Sequence, residues 1–273
     1  MMIWKFIKYI MLGVIQGITE PIPVSSSGHL LVFRTLFNTN MFNDLNYEII
    51  LNFGSFLAIL FIFRKDVTTL LKSFFNYLFS KDEKTKKENK TNFKYCLCVI
   101  IATIPVGIVG ILLKDKLENA LSNIKLVGIA FLITALSLIL VKNIKGTKED
   151  KDISYKDAIL IGLLQAIAIV PGLSRSGTTL VGCLLRNFKR DTALKFTFIL
   201  YFPVSIATII LGLVDLLKTN YTSILPFYIA GFIASLIITY FSSKWFFDVV
   251  KKGKLWKFAI YCTLLGLFTI IVL

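Results

Sequence analysis

Residues 13–30 read GVIQGITEPIPVSSSGHL, and residues 162–179 read GLLQAIAIVPGLSRSGTT. Gly13-Val14-Ile15-Gln16 aligns with Gly162-Leu163-Leu164-Gln165. Nine residues beyond each glutamine comes a polar tip, Ser25-Ser26-Ser27-Gly28 in the first copy and Ser174-Arg175-Ser176-Gly177 in the second. The copies lie 149 residues apart, which is an internal repeat. In both, an apolar run is broken by proline: Pro21 and Pro23 before one tip, Pro171 before the other. The arm after the first tip, LLVFRTLF, has eight residues, about 12 Å at the helical rise. That is too short to cross about 30 Å of hydrocarbon. Each region, 3–37 and 158–188, therefore reads as a re-entrant hairpin. Broken backbone at membrane depth is tolerated only inside protein or against water.

Outward from the hairpins, six apolar runs are long enough to span a bilayer: roughly 45–63, 93–113, 124–141, 192–214, 225–243 and 255–273. Three of them separate the copies. An odd number of crossings inverts the second copy relative to the first, and inverted repeats with broken helices build a site near the midplane. The fold class expected is an all-α polytopic membrane protein, with six transmembrane helices plus two re-entrant helical hairpins in an inverted-topology repeat. The chain is one integral membrane domain, 1–273, with a first repeat of about 1–141 and a second of about 153–273. VTTLLKSFFNYLF (67–79) is amphipathic and reads as a surface segment. KDEKTKKENK (81–90) reads as a solvated loop.

Composition agrees with that class. The chain is 56% apolar and 17% charged, and mean hydropathy is +0.75. Net charge is +15, but the basic residues border the apolar runs. They report topology and contact with anionic lipid rather than nucleic acid. On the expected topology, twenty-three of the 31 Lys and Arg fall on one side and seven on the other. The basic side is then cytoplasmic, the first hairpin enters from outside, and both termini lie outside. The N-terminal apolar stretch lacks a small-residue cleavage site and reads as retained. Cys96, Cys98, Cys183 and Cys262 sit in apolar runs and read as packing residues.

Glu20, His29 and Arg175 are the ionisable groups at the hairpin tips. Charged groups are costly in membranes and face protein or water. Arginine matches phosphate oxygens with a rigid fork. Serine hydroxyls and helix N-termini favour an anion. A serine becomes a nucleophile when a base takes its proton, and His29 or Glu20 could be that base. A carboxylate could also hold Mg²⁺ or Ca²⁺ against a phosphate. Taken singly, each residue has a plainer reading. A lone histidine is commonly a satisfied buried one, Glu20 could simply neutralise Arg175, and serines beside Gly and Pro make turns and caps. Glu48 reads as an interfacial charge, and Arg186, Lys189 and Arg190 as cytoplasmic-side charges. The joint pattern favours function: the copies differ where one supplies a hydroxyl and the other a guanidinium.

At these residues the chain resembles the undecaprenyl-diphosphate phosphatase family of the bacitracin-resistance type. QGITEPIPVSSSGH (16–29) resembles its first motif and PGLSRSG (171–177) its second. RDTALKFTFILYFP (190–203) is similar to the stretch that follows. The resemblance covers the whole chain. It implies a bacterial cell-membrane hydrolase with its site open to the outer side. It would convert undecaprenyl diphosphate to undecaprenyl phosphate and phosphate, recycling the carrier for peptidoglycan and other envelope polymers. Carried over by position, Ser26 is the nucleophile, and His29 and Glu20 complete the catalytic set. Arg175 binds the diphosphate with Ser25, Ser27, Ser174, Ser176 and Gly177. A divalent cation, Mg²⁺ or Ca²⁺, is implied at Glu20 with Gln16. The partners implied are a polyprenyl diphosphate and membrane lipids, with no nucleic acid, and a homodimer is left open. Two positions depart from the family pattern: Gln16 stands where some members carry glutamate, and Pro21 where phenylalanine is usual. The rival reading is a transporter or lipid flippase on the same inverted repeat. A mere membrane scaffold would leave Glu20, His29 and Arg175 without a purpose.

Overall fold

The computed structural model describes residues 2–37, 45–112, 123–216 and 224–273. Among the described residues the chain is helical, with ten α-helices and a bridge between Lys148 and Phe188 but no strand. The first half contains α1 (Met2–Thr19), α2 (Ser26–Leu36), α3 (Leu45–Phe79), α4 (Glu83–Leu112) and α5 (Ile124–Val141). After a 3₁₀ turn at Asp150–Asp152 come α6 (Tyr155–Ile167), α7 (Arg175–Leu185), α8 (Arg190–Leu216), α9 (Leu225–Lys251) and α10 (Trp256–Val272).

Five helices, α3, α4, α5, α8 and α9, are long and apolar enough to cross a membrane. α10 is apolar but has 17 residues. α2 and α7 have 11 residues each, about 16 Å, and reach only half-way across a hydrocarbon core.

One sequence expectation is extended and one corrected. The amphipathic surface segment at 67–79 is the continuation of α3, which runs unbroken for 35 residues, about 52 Å. Nothing between Arg64 and Phe79 is Gly or Pro, so nothing stops it. The expected loop at 81–90 is helical from Glu83 onward. Asp82 starts that helix. Its carboxylate accepts from the backbone N–H of Lys84 (3.2 Å) and Thr85 (3.0 Å) and from the Thr85 hydroxyl (2.6 Å). Those bonds, the Thr85 side chain first, hold the Asp82 carboxyl below its ordinary range. Lys and Glu are good helix formers, so a charged run need not be irregular. Phe93 of α4 stacks on Phe74 and Tyr77 of α3, and Asn92 bonds Ser73 at 3.0 Å.

The packing crosses between the halves. α1 lies against α9, α6 against α4, and α5 against α10. α3 also packs on α9, and there Ser55 bonds Ser235 (2.9 Å) and Thr239 (2.8 Å). Small residues admit close approach between membrane helices.

Both broken regions are turns that end in a serine cap. α1 stops at Thr19, residues 20–24 turn, and the Ser25 hydroxyl accepts from Gly28 N (3.3 Å) to start α2. Ser174 does the same for Gly177 N (3.0 Å) at the start of α7. The tips touch. A Cβ on Gly28 would lie 2.7 Å from the Phe131 ring and 3.1 Å from the Gly172 Cα. Gly172 itself has φ +90°, a conformation that favours glycine.

The loop before α6 is held by ion pairs. Asp157, fully buried, takes Lys148 (2.9 Å), Arg186 (2.6 Å) and the Ser154 hydroxyl (2.7 Å). Lys189 bonds Glu149 at 2.5 Å; that bond and the Lys189 charge hold the Glu149 carboxyl below its ordinary range. Arg186 and Lys189 are thus paired. Arg190 reaches the Lys251 and Lys142 carbonyls. The four cysteines are free thiols.

Candidate functional site

Where the tips meet, the polar residues of the two copies join into one chain of hydrogen bonds. Ser26 Oγ donates to Glu20 Oε2 at 2.5 Å. Gln16 Nε2 donates to the same oxygen at 2.9 Å and to Asn52 Oδ1 at 2.8 Å. Arg175 Nη2 donates to Glu20 Oε1 at 3.0 Å. Glu20 therefore uses both carboxylate oxygens, one toward the nucleophile candidate and one toward the guanidinium. Its side chain is 6% exposed and that of Arg175 28%. The guanidinium also lies over the Tyr201 ring, 4.9 Å from its centroid. A ring face attracts a cation without engaging its N–H groups, so the rest of the fork stays available to an anion.

The local sequence explains the placement. Gln16 and Glu20 are four residues apart at the end of α1, so both side chains leave the same face. The turn through Pro21 and Pro23 brings Ser26 back to that face. Arg175 is the first residue of α7, where the second turn aims it at Glu20.

The remaining serines build the tips. Ser25 and Ser174 are the caps. Ser27 lies 3.4 Å from the Ser25 hydroxyl. Ser176 lies 3.3 Å from that of Ser174 and donates to the Ile22 carbonyl at 3.2 Å, tying the second tip to the first. Gly177 gives its N–H to Ser174, and a Cβ there would lie 3.1 Å from Pro23. The N-termini of α2 and α7 thus converge, and both ends favour negative charge. Ser25 has φ 69°, rare for a residue with a side chain and costing about 1–3 kcal/mol.

His29 is turned to other partners. Its Nδ1 bonds the Ser25 carbonyl at 2.6 Å, and its Nε2 lies 2.7 Å from the Tyr261 hydroxyl. In this arrangement the carboxylate, not the imidazole, accepts from the Ser26 hydroxyl. Glu48 pairs with Arg34 between α3 and α2.

Sequence reasoning missed three residues of this constellation: Asn52, Tyr201 and Tyr261. Asn52 is an amide inside an apolar span, a signal that was present. Tyr201 and Tyr261 are two of ten tyrosines, and nothing local marks them.

As to a metal, no group of three His, Cys, Asp or Glu stands together among the described residues. What surrounds Glu20 is one carboxylate with the amides of Gln16 and Asn52, whose carbonyl oxygens are hard donors. Gln16 turns its Nε2, not its carbonyl oxygen, toward both Glu20 and Asn52.

The comparisons with known proteins agree on one family. The family model described as bacitracin resistance protein BacA matches residues 9–268. The chain is 43% identical over 271 residues to a protein named undecaprenyl-diphosphatase 2 from Bacillus thuringiensis (strain Al Hakam), covering 99% of this chain and 98% of that one. It is 42% identical over 273 residues to an undecaprenyl-diphosphatase from Oceanobacillus iheyensis, at 99% and 98% coverage. It is 38% identical over 266 residues to undecaprenyl-diphosphatase 1 from Halalkalibacterium halodurans, at 97% and 95%.

Proposed function

This chain belongs to the bacitracin resistance protein BacA family, and from that premise we propose that it is a membrane undecaprenyl-diphosphatase. It hydrolyses undecaprenyl diphosphate to undecaprenyl phosphate and inorganic phosphate, and so returns a lipid carrier to envelope polymer synthesis. The observation that carries the reading is the bonded chain Ser26–Glu20–Arg175, which joins a hydroxyl, a base and an anion-binding cation across 155 residues of sequence.

In the proposed reaction the diphosphate lies between the two tips. Arg175 and the free N–H groups at the starts of α2 and α7 take its oxygens. Ser26 Oγ attacks the terminal phosphorus as its proton passes to Glu20 Oε2. The P–O bond to the bridging oxygen breaks, and Glu20 returns the proton to the departing undecaprenyl phosphate. Water then attacks the phosphoserine. Its proton is taken up by His29 and returned to Ser26 Oγ as the P–O bond to the serine breaks, so Ser26 leaves as the hydroxyl and His29 ends neutral. A divalent cation, Mg²⁺ or Ca²⁺, would be held by Glu20 with the amide oxygens of Gln16 and Asn52. When bound it offsets the negative charge of the diphosphate.

The architecture we propose is six spans and two re-entrant hairpins in an inverted repeat, with α10 as the sixth span. It is supported by the matched serine caps and by the reciprocal packing of α1 on α9 and α6 on α4. The basic ends are placed in the cytoplasm by charge, and the site opens to the outer side. Lys114, Lys116 and Lys218, assigned to the outer side, lie outside the described residues.

The deciding experiment is phosphate release from undecaprenyl diphosphate by purified protein in detergent, with and without EDTA. Release lost on chelation and restored by Mg²⁺ or Ca²⁺ is expected. A folded protein that releases none with either cation would return the transporter reading to first place, since transport needs a sealed vesicle and no chemistry.

A further inference from the structure

His29 makes a hydrogen bond from each ring nitrogen, and together the two contacts fix its chemistry. The Ser25 carbonyl can only accept, so Nδ1 carries a proton and donates at 2.6 Å. The Ser25 backbone, at φ 69°, presents that carbonyl to both the ring and the backbone N–H of His29. In a neutral imidazole the other nitrogen then holds a lone pair. The Tyr261 hydroxyl, at 2.7 Å, is the donor to it. The Tyr261 and His29 rings are parallel, 7° apart with centroids at 5.5 Å, and the Phe131 ring closes the side edge-on at 5.3 Å. The imidazole is therefore held at both nitrogens and against two ring walls.

We propose that Tyr261 is a positioning residue for hydrolysis: with the Ser25 carbonyl setting the Nδ1–H tautomer of His29, the Tyr261 hydroxyl donates to Nε2, holds the ring and links that nitrogen to the attacking water. The inference rests on the undecaprenyl-diphosphatase reading. A hydroxyl suits the task because it both donates and accepts. It gives its proton to Nε2 when the ring is neutral. As Nε2 takes that proton the hydroxyl takes one from the attacking water, and it then turns to accept from Nε2–H. The ring orientation therefore survives a change of protonation. A phenylalanine would keep the stacked wall and lose both bonds. The tautomer of a functional histidine is set by the bond its other nitrogen makes. Here the Ser25 carbonyl sets the choice, and the Tyr261 hydroxyl fits the lone pair it leaves on Nε2.

The chain has a single histidine, so its ring nitrogens can be read without assignment. The experiment is ¹⁵N-imidazole NMR on full-length protein labelled at histidine, beside turnover of undecaprenyl diphosphate, for wild type and Tyr261→Phe. Wild type at neutral pH should show a protonated Nδ1 and an unprotonated, hydrogen-bonded Nε2. Tyr261→Phe should lose the Nε2 hydrogen-bond shift, and kcat should fall about tenfold or more with KM little changed. That loss would fall within the ~10²–10⁴ that general acid–base catalysis contributes. Protonated Nε2 in the wild type overturns the inference without any variant. So does a Tyr261→Phe protein with wild-type kcat or an unchanged imidazole spectrum. If the wild type itself releases no phosphate, the hydrolase reading falls, and Tyr261's part in turnover falls with it. Normal turnover in both proteins overturns the inference alone.

Discussion

Glu20 and Arg175, separated by 155 residues, meet in one hydrogen-bonded ion pair at 3.0 Å between the tips of two broken helices. The pair joins what the repeat keeps apart. One copy brings the carboxylate with a serine on its other oxygen, and the other brings a guanidinium resting on an aromatic ring. In the proposed reaction a diphosphate entering between them would compete with Glu20 for the guanidinium.

The first prediction concerns the shape of that cation. Arg175→Lys keeps the charge but replaces a planar fork over Tyr201 with a point charge. Phosphate release should fall on the order of a hundredfold, about 2.7 kcal/mol of transition-state stabilisation. Arg175→Ala should fall further. A lysine variant within threefold of wild type would show that charge alone suffices.

The second separates nucleophile from base. Ser26→Ala and Glu20→Gln should each reduce kcat by ~10³ or more, and the double variant should be little worse than either. Groups that act as a unit are not additive. Rapid quenching with phosphorus-labelled substrate should trap a phosphorylated Ser26 in wild type and none in Ser26→Ala. Near-normal turnover by Ser26→Ala would replace the serine with direct attack by water.

The third is structural. Gly28→Ala puts a methyl against the Phe131 ring and the Gly172 Cα. Overpacking of this kind costs about 1–3 kcal/mol. The midpoint of thermal unfolding in detergent should fall, and because the clash parts the tips, activity should fall too. Wild-type stability and turnover in this variant would mean that the tips do not press together there.

The fourth tests the buried charge outside the site. Asp157→Asn leaves Lys148 and Arg186 facing an amide. Breaking a buried pair costs about 3–5 kcal/mol, and the part-exposed partners here soften that toward the lower figure. Thermal stability should drop while the KM of the surviving folded fraction stays unchanged. A changed KM at unchanged stability would move Asp157 from scaffold to site.

How much of this was legible follows from range. The turns were legible because proline and serine act on their own backbone: Pro21, Pro23 and Ser25 mark the first break, Pro171 and Ser174 the second. The meeting of Glu20, Ser26 and Arg175 was legible because the repeat itself forecast a midplane site. Tyr261 and Tyr201 were not, since each matters only through a ring it meets across the fold. The helical course of 83–90 was missed for the opposite reason. A charged composition was taken as irregular structure, when the absence of Gly and Pro, with Asp82 as a cap, carried the better signal. The partners of His29 were also beyond reach, because the position of Ser26 along the same helix said nothing about where the imidazole would turn.

The last prediction concerns Gln16, which donates to both Glu20 and Asn52. Gln16→Glu removes that donor and sets a second carboxylate beside Glu20. Like charges so close repel in the absence of a counter-ion. With a divalent cation present, the same change adds an oxygen ligand and a charge to the proposed ion site. The variant should therefore be less stable than wild type in EDTA, and its stability gain on adding Mg²⁺ or Ca²⁺ should exceed that of wild type. Its half-activating cation concentration should also fall. Thermal unfolding across a cation titration reads the first effect without turnover, and phosphate release reads the second. If Gln16→Glu and wild type respond to the cation alike in both, Gln16 lies outside the ion's reach, and its role is to hold Glu20 in place.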